Sequence, residues 1–246
     1  MRHYVIGDIH GQIDMLKSAH ARIAEDRKRI GDEEAPIIHL GDLVDRGPES
    51  AGVIDLLLTG AQNGKPWITL KGNHDRMFSR FLRQGIHHDA RITSGLSWLD
   101  PRLGGTETLQ SYGVPSSETA PQEAQALAAK SIPETHLNFI ESLPLTYEAG
   151  PLLFVHAGIK PNIPLRSQEE DDLIWIRQGF LDHQEPHQWL IIHGHTALDA
   201  PEHFTNRVDL DSGAGYGRPL TAAVIEGRDI FILEDGARRP LLPPAP

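Results

Sequence analysis

The sequence predicts an α/β protein organised as one domain over residues 1–236. Three short apolar segments, at 4–6, 37–40 and 67–70, are each followed by a longer segment with apolar residues at helical spacing. This βαβαβα order is typical of a parallel sheet covered by helices. No Pro-, Gly- or Ser-rich linker and no internal repeat divides the 246 residues, which favours a single large domain.

The three predicted helices rest on apolar residues that recur every three or four positions. The first helix is expected over 13–30, ending at the charged stretch 31–34, and the third begins near Arg76. The apolar positions are Leu16, Ala19, Ile23 and Ile30 in the first helix, Val53, Ile54, Leu57 and Leu58 in the second, and Met77, Phe78, Phe81 and Leu82 in the third.

The second half of the chain is less regular. Residues 84–145 are predicted to form a helical insertion lying over the strand ends. The segments 145–148 and 152–155 flank a Gly-Pro turn, which predicts a hairpin. Residues 237–246 are expected to be a loose Pro-rich tail. Further strands are predicted at 189–192, 207–210, 220–226 and 229–233.

The composition excludes several classes of protein. A formal net charge of -11 argues against general binding to nucleic acid or anionic membranes. The absence of cysteine excludes disulfides, thiolate metal ligands and cysteine nucleophiles. No apolar run approaches the ~18 residues of a membrane span, and the N-terminus enters a strand without an export signal. We therefore expect a cytoplasmic protein.

The apolar strands end on polar residues beside glycines. The most crowded ending is 41–47, which carries Asp42, Asp45 and Arg46. Because open α/β sheets form ligand sites at the carboxyl ends of their strands, we expect these endings to assemble one site. Carboxylate, imidazole and carboxamide groups suit manganese, iron or zinc, a carboxylate such as Asp42 can bridge two metals, and an arginine suits phosphate. The candidates are Asp8, His10, Asp42, Asn73, His74, His156 and His195.

Five motifs resemble a known family. Gly-Asp-Ile-His-Gly, Gly-Asp-Leu-Val-Asp-Arg-Gly, Gly-Asn-His-Asp, His-Ala-Gly and Gly-His-Thr occur in this order between residue 5 and about residue 215. Together they resemble the calcineurin-like metallophosphoesterases, and within them the phosphoprotein phosphatase branch that includes bacterial and phage serine/threonine phosphatases. The resemblance implies a sandwich of two mixed β-sheets flanked by α-helices.

The resemblance also implies roles for the site residues. A water bridging two divalent metals would attack phosphorus; the metals would be Mn²⁺, with Fe, Zn or Mg as alternatives. His74 would protonate the leaving oxygen and be oriented by Asp75. Arg46 and Arg177 would bind the phosphate together with Asn73. The implied metal ligands are Asp8, His10 and Asp42 for one ion, and Asp42, Asn73, His156 and His195 for the other.

These inferences lead to a metal-dependent phosphomonoester hydrolase, with a protein serine/threonine phosphatase as the first interpretation. The alternative is a bis(5'-nucleosyl)-tetraphosphatase, since the resemblance covers both activities. The substrate would be a phosphorylated protein or a small phosphoester. A catalytically silent phosphoprotein-binding module would require the loss of a ligand, of His74 or of Arg46, and none is lost. The sequence leaves three roles possible for His193, namely metal ligation, support of a ligand and packing. For Asp211 it leaves two, support of a ligand and a place in a turn.

Overall fold

The computed structural model describes residues 2–115 and 118–245. No helix in these ranges is long and apolar enough to cross a lipid bilayer. The strands described are β1 (Arg2–Ile6), β2 (Ile37–His39), β3 (Trp67–Thr69), β4 (Thr146–Ala149), β5 (Leu152–Val155), β6 (Leu190–His193), β7 (Glu202–His203), β8 (Arg207–Asp209), β9 (Ala222–Glu226), β10 (Asp229–Glu234) and β11 (Ala237–Pro240). The α-helices described are α1 (Ile13–Ile30), α2 (Ser50–Gln62), α3 (Asn73–Gln84), α4 (Gly105–Ser111), α5 (Pro121–Ser131), α6 (Glu134–Ser142) and α7 (Glu170–Trp175).

The first sheet has six strands in the order β11-β10-β9-β1-β2-β3. β1, β2 and β3 run parallel, with Tyr4 beside Ile37 and Ile38 beside Ile68, so the predicted βαβαβ unit is confirmed. β9 lies antiparallel to β1 and makes the sheet mixed. The parallel part delivers the residues that follow β1, β2 and β3 to one edge.

The second sheet has five strands in the order β4-β5-β6-β8-β7. β4 and β5 form the predicted antiparallel hairpin, whereas β5, β6 and β8 run parallel. The segments that carry His156 and His195 follow β5 and β6. The second sheet therefore contributes two strand ends to the polar cluster, and the prediction of two mixed sheets flanked by helices is confirmed.

The core has one layer between the two sheets and a second part on their outer faces, beneath the helices and loops that cover them. In β1, Val5 belongs to the layer between the sheets with Phe154 and Ile192, whereas Tyr4 and Ile6 belong to the layer under the helices. Successive strand residues point to opposite faces, so a strand buried on both faces must be apolar throughout. This explains why the strand segments read as continuous apolar runs.

The insertion at 84–145 divides into two parts. α5 and α6 pack against α3, and α4 and α6 pack against α2. The prediction that the helices of the insertion lie over the strand ends is wrong for α5 and α6, because their apolar residues, such as Ala128 and Ile140, are buried against neighbouring helices. By contrast, α4 does lie beside the end of β2, since its Thr108 donates a hydrogen bond to Asp45. It is the loop before α4, with Arg91, Ile92 and Leu96, that lines the cleft at the strand ends.

The predicted loose tail is wrong for residues 237–240, which form β11. This strand pairs antiparallel with β10, and Arg238 binds both Asp26 on α1 and Glu226 on β9. The Arg238 Nη2 to Asp26 Oδ2 distance is 2.6 Å. A sequence pattern that shows only prolines and arginines misses this strand, since its ion pair with α1 joins Arg238 to a residue 212 positions away.

We expect Asp26→Asn to destabilise the fold by roughly 1–2 kcal/mol at neutral pH. Burial acts to raise the pKa of Asp26, but hydrogen bonds from Arg238, Tyr4 and Arg29 outweigh it and lower this pKa to about 2. Because the pKa of Asp26 is lower in the folded than in the unfolded protein, its carboxylate stabilises the fold fully at pH values above the unfolded pKa of 3.8. This stabilisation is lost as the pH falls through about 2. Urea unfolding at pH 7 and pH 3 measures the effect. The exposed Asp14→Asn on the same helix is the control, and an equal midpoint for both variants at pH 7 would contradict the assignment.

Candidate metal centre and catalytic site

An unusual backbone conformation marks the strand ends. Seven non-glycine residues in the described ranges have positive φ, and five of them lie here: His10, Asp42, Asp45, Arg46 and His195. Such conformations cost of order 1–3 kcal/mol each and persist where the surrounding structure fixes them, often at functional sites. Backbone bonds such as His10 N–H to the Asp42 carbonyl, at 2.7 Å, hold the first two loops together.

Asp42 lies at the centre of the polar cluster. Its Oδ2 is 3.5 Å from His10 Nε2, and its Oδ1 is 3.4 Å from His156 Nε2 and accepts a hydrogen bond from His74 N–H. Among the residues that the structure describes, two groups of three side chains lie close enough to hold a cation, namely His10, Asp42 and His74, and Asp42, His156 and His195. Because Asp42 belongs to both groups, its two oxygens are available to two adjacent cations.

The histidines of the cluster offer Nε2 to the site. His10 Nδ1 lies 2.9 Å from the Val44 carbonyl oxygen, and His156 Nδ1 lies 2.9 Å from the Leu40 carbonyl oxygen. A carbonyl oxygen accepts, so Nδ1 carries the proton in both rings and Nε2 keeps its lone pair. Metal-ligating histidines usually show this arrangement, because the bond on one nitrogen fixes the tautomer and orientation of the other.

Two buried atoms in the cluster lack a hydrogen-bond partner. These atoms are Asp8 Oδ1 and His195 Nε2. The other groups of the two residues are paired, since Asp8 Oδ2 accepts a hydrogen bond from His195 N–H and the His195 ring is hydrogen-bonded to the Trp175 backbone. A buried polar atom without a partner is costly, and a bound cation would remove that cost. Asp8 lies outside both groups of three, but its free oxygen fits the donor set. The residues present therefore fit divalent cations.

The charge of the cluster also favours bound cations. Burial, followed by the charges of Asp211 and Asp42, raises the pKa of Asp8 well above its usual value. Burial likewise raises the pKa of Asp42 to about 7. Carboxylates crowded in this way resist ionisation until positive charge is supplied, and a divalent cation supplies it locally.

The two predicted phosphate-binding arginines lie in the same cleft. Arg46 Nη2 is 3.0 Å from His74 Nε2, and Arg46 also contacts His10 Nε2. Arg177 Nη2 donates to the His195 carbonyl at 3.2 Å. Asn73 is buried, and its Oδ1 lies 3.0 Å from His156 Nε2. All predicted site residues except Asp8 and Asp75 thus line the cleft or belong to the two candidate ligand groups beside it.

The prediction that Asp75 orients His74 is wrong. The side chain in contact with the ring is Asp45, whose Oδ2 lies 2.6 Å from His74 Nδ1. Asp75 instead accepts hydrogen bonds from the backbone N–H groups of Gly72 and Leu43, at 2.8 and 2.9 Å. Asp75 is at the third position of α3, where a carboxylate turns back to the helix start and not towards its neighbour. Its role is to join the loops after β2 and β3.

Two residues of the insertion hold Asp45. Trp98 Nε1 donates to Asp45 Oδ2 at 2.7 Å, and the Thr108 hydroxyl donates to Asp45 Oδ1 at 2.6 Å. Burial raises the pKa of Asp45 and lowers that of His74. Sequence reasoning found Asp45 but gave it no role, and it missed Trp98 and Thr108. No spacing signal links them to Asp45, since they follow it by 53 and 63 residues.

His193 and Asp211 were left open by the sequence. The His193 ring is fully buried, packs against Phe180 at 5.1 Å between ring centroids, and contacts the Gly194 carbonyl. It belongs to neither candidate ligand group, which favours packing. Asp211 lines the cleft and accepts from Gly213 N–H at 2.8 Å. Its charge acts on Asp8, so it is an electrostatic neighbour of the cluster as well as a turn residue.

Asp45→Asn is expected to lower kcat by about 10²-fold or more, because an amide in contact with Nδ1 can favour the wrong tautomer of His74. Asp75→Asn is the matched comparison. It should lower the urea midpoint through the two backbone bonds it weakens, with a smaller fall in kcat. Steady-state rates and urea unfolding of both variants check this. Equal kcat values with equal stability would contradict the assignment of Asp45 to His74.

The fold and the site together define a class of protein. Two mixed sheets flanked by helices carry a buried Asp–His cluster that could hold cations beside two arginines. A family model for the calcineurin-like phosphoesterases matches residues 1–223. The chain belongs to the calcineurin-like phosphoesterase family, as the five motifs predict, and is a metal-dependent hydrolase of phosphoric esters.

Several known proteins are similar over most of the chain. A bis(5'-nucleosyl)-tetraphosphatase (asymmetrical) of Anoxybacillus flavithermus is 25% identical over 238 residues, 89% of this chain and 88% of its own. The protein of that name in Bacillus mycoides is 24% identical over 90% of this chain and 89% of its own. A solved structure whose description proposes a diadenosine tetraphosphatase superposes with a TM-score of 0.59 at 21% identity, covering 98% of this chain and 94% of that one.

A cold-active protein-tyrosine phosphatase of a psychrophilic Shewanella also shares the fold. It superposes with a TM-score of 0.61 at 16% identity, covering 98% of this chain and 80% of that one. At this identity the likeness extends to the fold alone, so different phosphoester substrates occur on one architecture. The fold therefore does not identify the substrate, which depends on the residues that line the cleft.

Proposed function

We propose that this protein is a dinucleoside tetraphosphate hydrolase that uses two divalent cations, with Mn²⁺ preferred. The observation that carries the proposal is the activity named for the curated relatives, whose similarity extends over about 90% of the chain. The sequence alone ranked a protein serine/threonine phosphatase first, and these names favour its alternative. In the proposed site one cation is held by Asp8, His10 and Asp42, and the other by Asp42, Asn73, His156 and His195.

The charge of the cleft supports a polyanionic substrate. Four arginines line it, namely Arg46, Arg91, Arg177 and Arg218. A phosphomonoester presents a single phosphoryl group, which one or two guanidinium forks can bind. A tetraphosphate chain carries charge on every phosphate along an extended line. Arginines spread over a cleft of about 480 Å³ match the longer anion better.

The chemistry follows from the contacts of His74 and Arg46. The cations, when bound, supply Lewis-acid stabilisation and activate a water as the nucleophile. As the water oxygen bonds to phosphorus, the bond from phosphorus to the leaving oxygen breaks, and His74 donates its Nε2 proton to that oxygen. The proton that the attacking water loses passes to solvent, and His74 takes up a proton from solvent before the next turnover. Arg46, 3.0 Å from His74 Nε2, binds the phosphoryl oxygens next to it.

His74 must carry a proton to act as the acid. Burial, followed by the charge of Arg46, lowers the pKa of His74 in the free protein. A bound phosphate opposes both effects, because its negative charge offsets Arg46 and favours the imidazolium form. Asp45, in contact with Nδ1, orients the ring so that Nε2 faces the leaving group.

Relative kcat/KM values with Mn²⁺ test the proposal on three substrates: diadenosine tetraphosphate, a phosphoserine peptide and a phosphotyrosine peptide. We expect the dinucleotide to be preferred by at least about tenfold, with AMP and ATP as products if cleavage is asymmetrical. Asp42→Asn protein prepared in parallel controls for contaminating phosphatases. A preference for the phosphoserine peptide would reinstate the protein phosphatase interpretation and overturn the proposal.

A further inference from the structure

The side chain of Tyr216 is unusual for an aromatic ring in this protein. Tyr216 is 62% exposed, and no other Phe, Tyr or Trp within residues 2–115 and 118–245 is comparably exposed. The ring borders the cleft that also contains Asp42, His74 and His195. Packing in the core does not account for it, so its exposed surface is available to a ligand of that cleft.

Backbone and side-chain contacts hold the ring next to Arg46. Tyr216 ends a short 3-10 turn, Ala214–Tyr216, in which Ala214 is buried. A Cβ at Gly215 would lie 2.7 Å from the His10 ring and 2.9 Å from Arg46, so this turn runs directly against the site and requires glycine. The Arg46 guanidinium carbon lies 4.8 Å from the Tyr216 ring centroid, in a cation–π contact.

A second arginine approaches the same ring from the far end of the turn. The Arg218 guanidinium carbon lies 5.9 Å from the Tyr216 centroid, and Arg218 is paired with the exposed Asp199. The guanidinium groups of two arginines that line the cleft, Arg46 and Arg218, thus lie close to the same ring. Aromatic rings stack on nucleobases without regard to sequence, and neighbouring guanidinium groups add to the stacking surface.

We propose that Tyr216 is the platform on which the nucleobase attached to the reacting phosphate stacks. The inference rests on the proposed function, since it assigns the base of that substrate. A phosphate bound by Arg46 leaves the base, one ribose away, beside the ring that Arg46 contacts. The ligand recognised here is a nucleoside phosphate of any base, because stacking reads the flat face of a base and not its edges.

The test compares two inhibitors that differ only in the base, AMP and ribose 5-phosphate. Both compete with glycerol 2-phosphate on the Mn²⁺-loaded enzyme, and glycerol release is followed. In the wild type we expect the inhibition constant of AMP to be about tenfold below that of ribose 5-phosphate. Tyr216→Leu should bring this ratio close to one, whereas Tyr216→Phe, which keeps the ring, should preserve it. A thermal midpoint for each variant verifies folding.

The ratio separates base recognition from general damage. A disturbance of Arg46 would weaken both inhibitors alike and leave the ratio unchanged in Tyr216→Leu, which would overturn the proposal. A wild-type ratio near one would overturn it as well. Failure to cleave dinucleoside tetraphosphate would refute the proposed function separately, because the inhibition ratio does not depend on that cleavage.

Discussion

Replacing Asp42 with asparagine is expected to abolish nearly all hydrolysis and to lower the number of cations bound per chain. Asp42 lies in both groups of candidate ligands, with one oxygen towards His10 and the other towards His156. An amide has only one oxygen and no charge, so it cannot serve two cations. A Lewis-acid cation is worth several kcal/mol in the transition state, which corresponds to a fall in kcat/KM of about 10³-fold or more.

Metal analysis after gel filtration and steady-state rates measure this effect. The exposed Asp229→Asn is the matched control, and it should keep both the metal content and the rate of the wild type. A urea midpoint for the metal-free variant verifies that it is folded. An Asp42→Asn enzyme with two bound cations and more than a tenth of the wild-type rate would contradict the bridging assignment.

His74→Asn is expected to keep the cations and to lose turnover according to the leaving group. General-acid catalysis contributes about 10²–10⁴-fold, and the contribution is largest when the leaving oxygen is strongly basic. Hydrolysis of an alkyl ester such as a phosphoserine peptide should therefore fall far more than hydrolysis of p-nitrophenyl phosphate, whose leaving group departs without a proton. A plot of rate against leaving-group pKa should become steeper in the variant.

The exposed His88→Asn serves as the control, since it removes a histidine that lies outside the cleft. Metal content must match the wild type in both variants, because His74 also lies within reach of His10 and Asp42 and could be mistaken for a ligand. Should His74→Asn lose a cation, His74 would be a ligand and not the acid. Equal losses on the alkyl and aryl esters would likewise remove it from proton transfer.

Much of the site could be predicted because glycines lie next to the polar residues at the strand ends. The loops that carry Asp8, Asp42 and His195 need close backbone approaches, and a Cβ at Gly194 would lie 2.0 Å from Asp8 Oδ1. Such approaches require glycine next to the polar site residues, so the sequence shows a glycine beside a polar residue at these strand ends. The strand order in the sheets then brings these polar residues to one site. Local patterns thus determined the parallel sheet and the metal-ligand candidates.

The remaining features depend on contacts between distant residues, which no local pattern encodes. Asp75 follows His74 directly in the sequence, whereas Asp45 precedes it by 29 residues and belongs to another motif. Only the directions of the side chains decide which carboxylate contacts the ring. Trp98 and β11 are similar cases, since the first reaches Asp45 from the insertion and Arg238 of the second reaches Asp26 on α1. Tyr216 gave no signal because stacking surfaces follow no spacing rule.

Titration of the metal-free protein with Mn²⁺ tests the central claim most directly. Activity and bound metal are measured at each step after exhaustive chelation. We predict no hydrolysis in the chelated protein, binding that saturates at two cations per chain, and activity that appears as the second cation binds. Hydrolysis that survives chelation, or full activity with fewer than two cations bound, would contradict the account of a cation pair that shares Asp42.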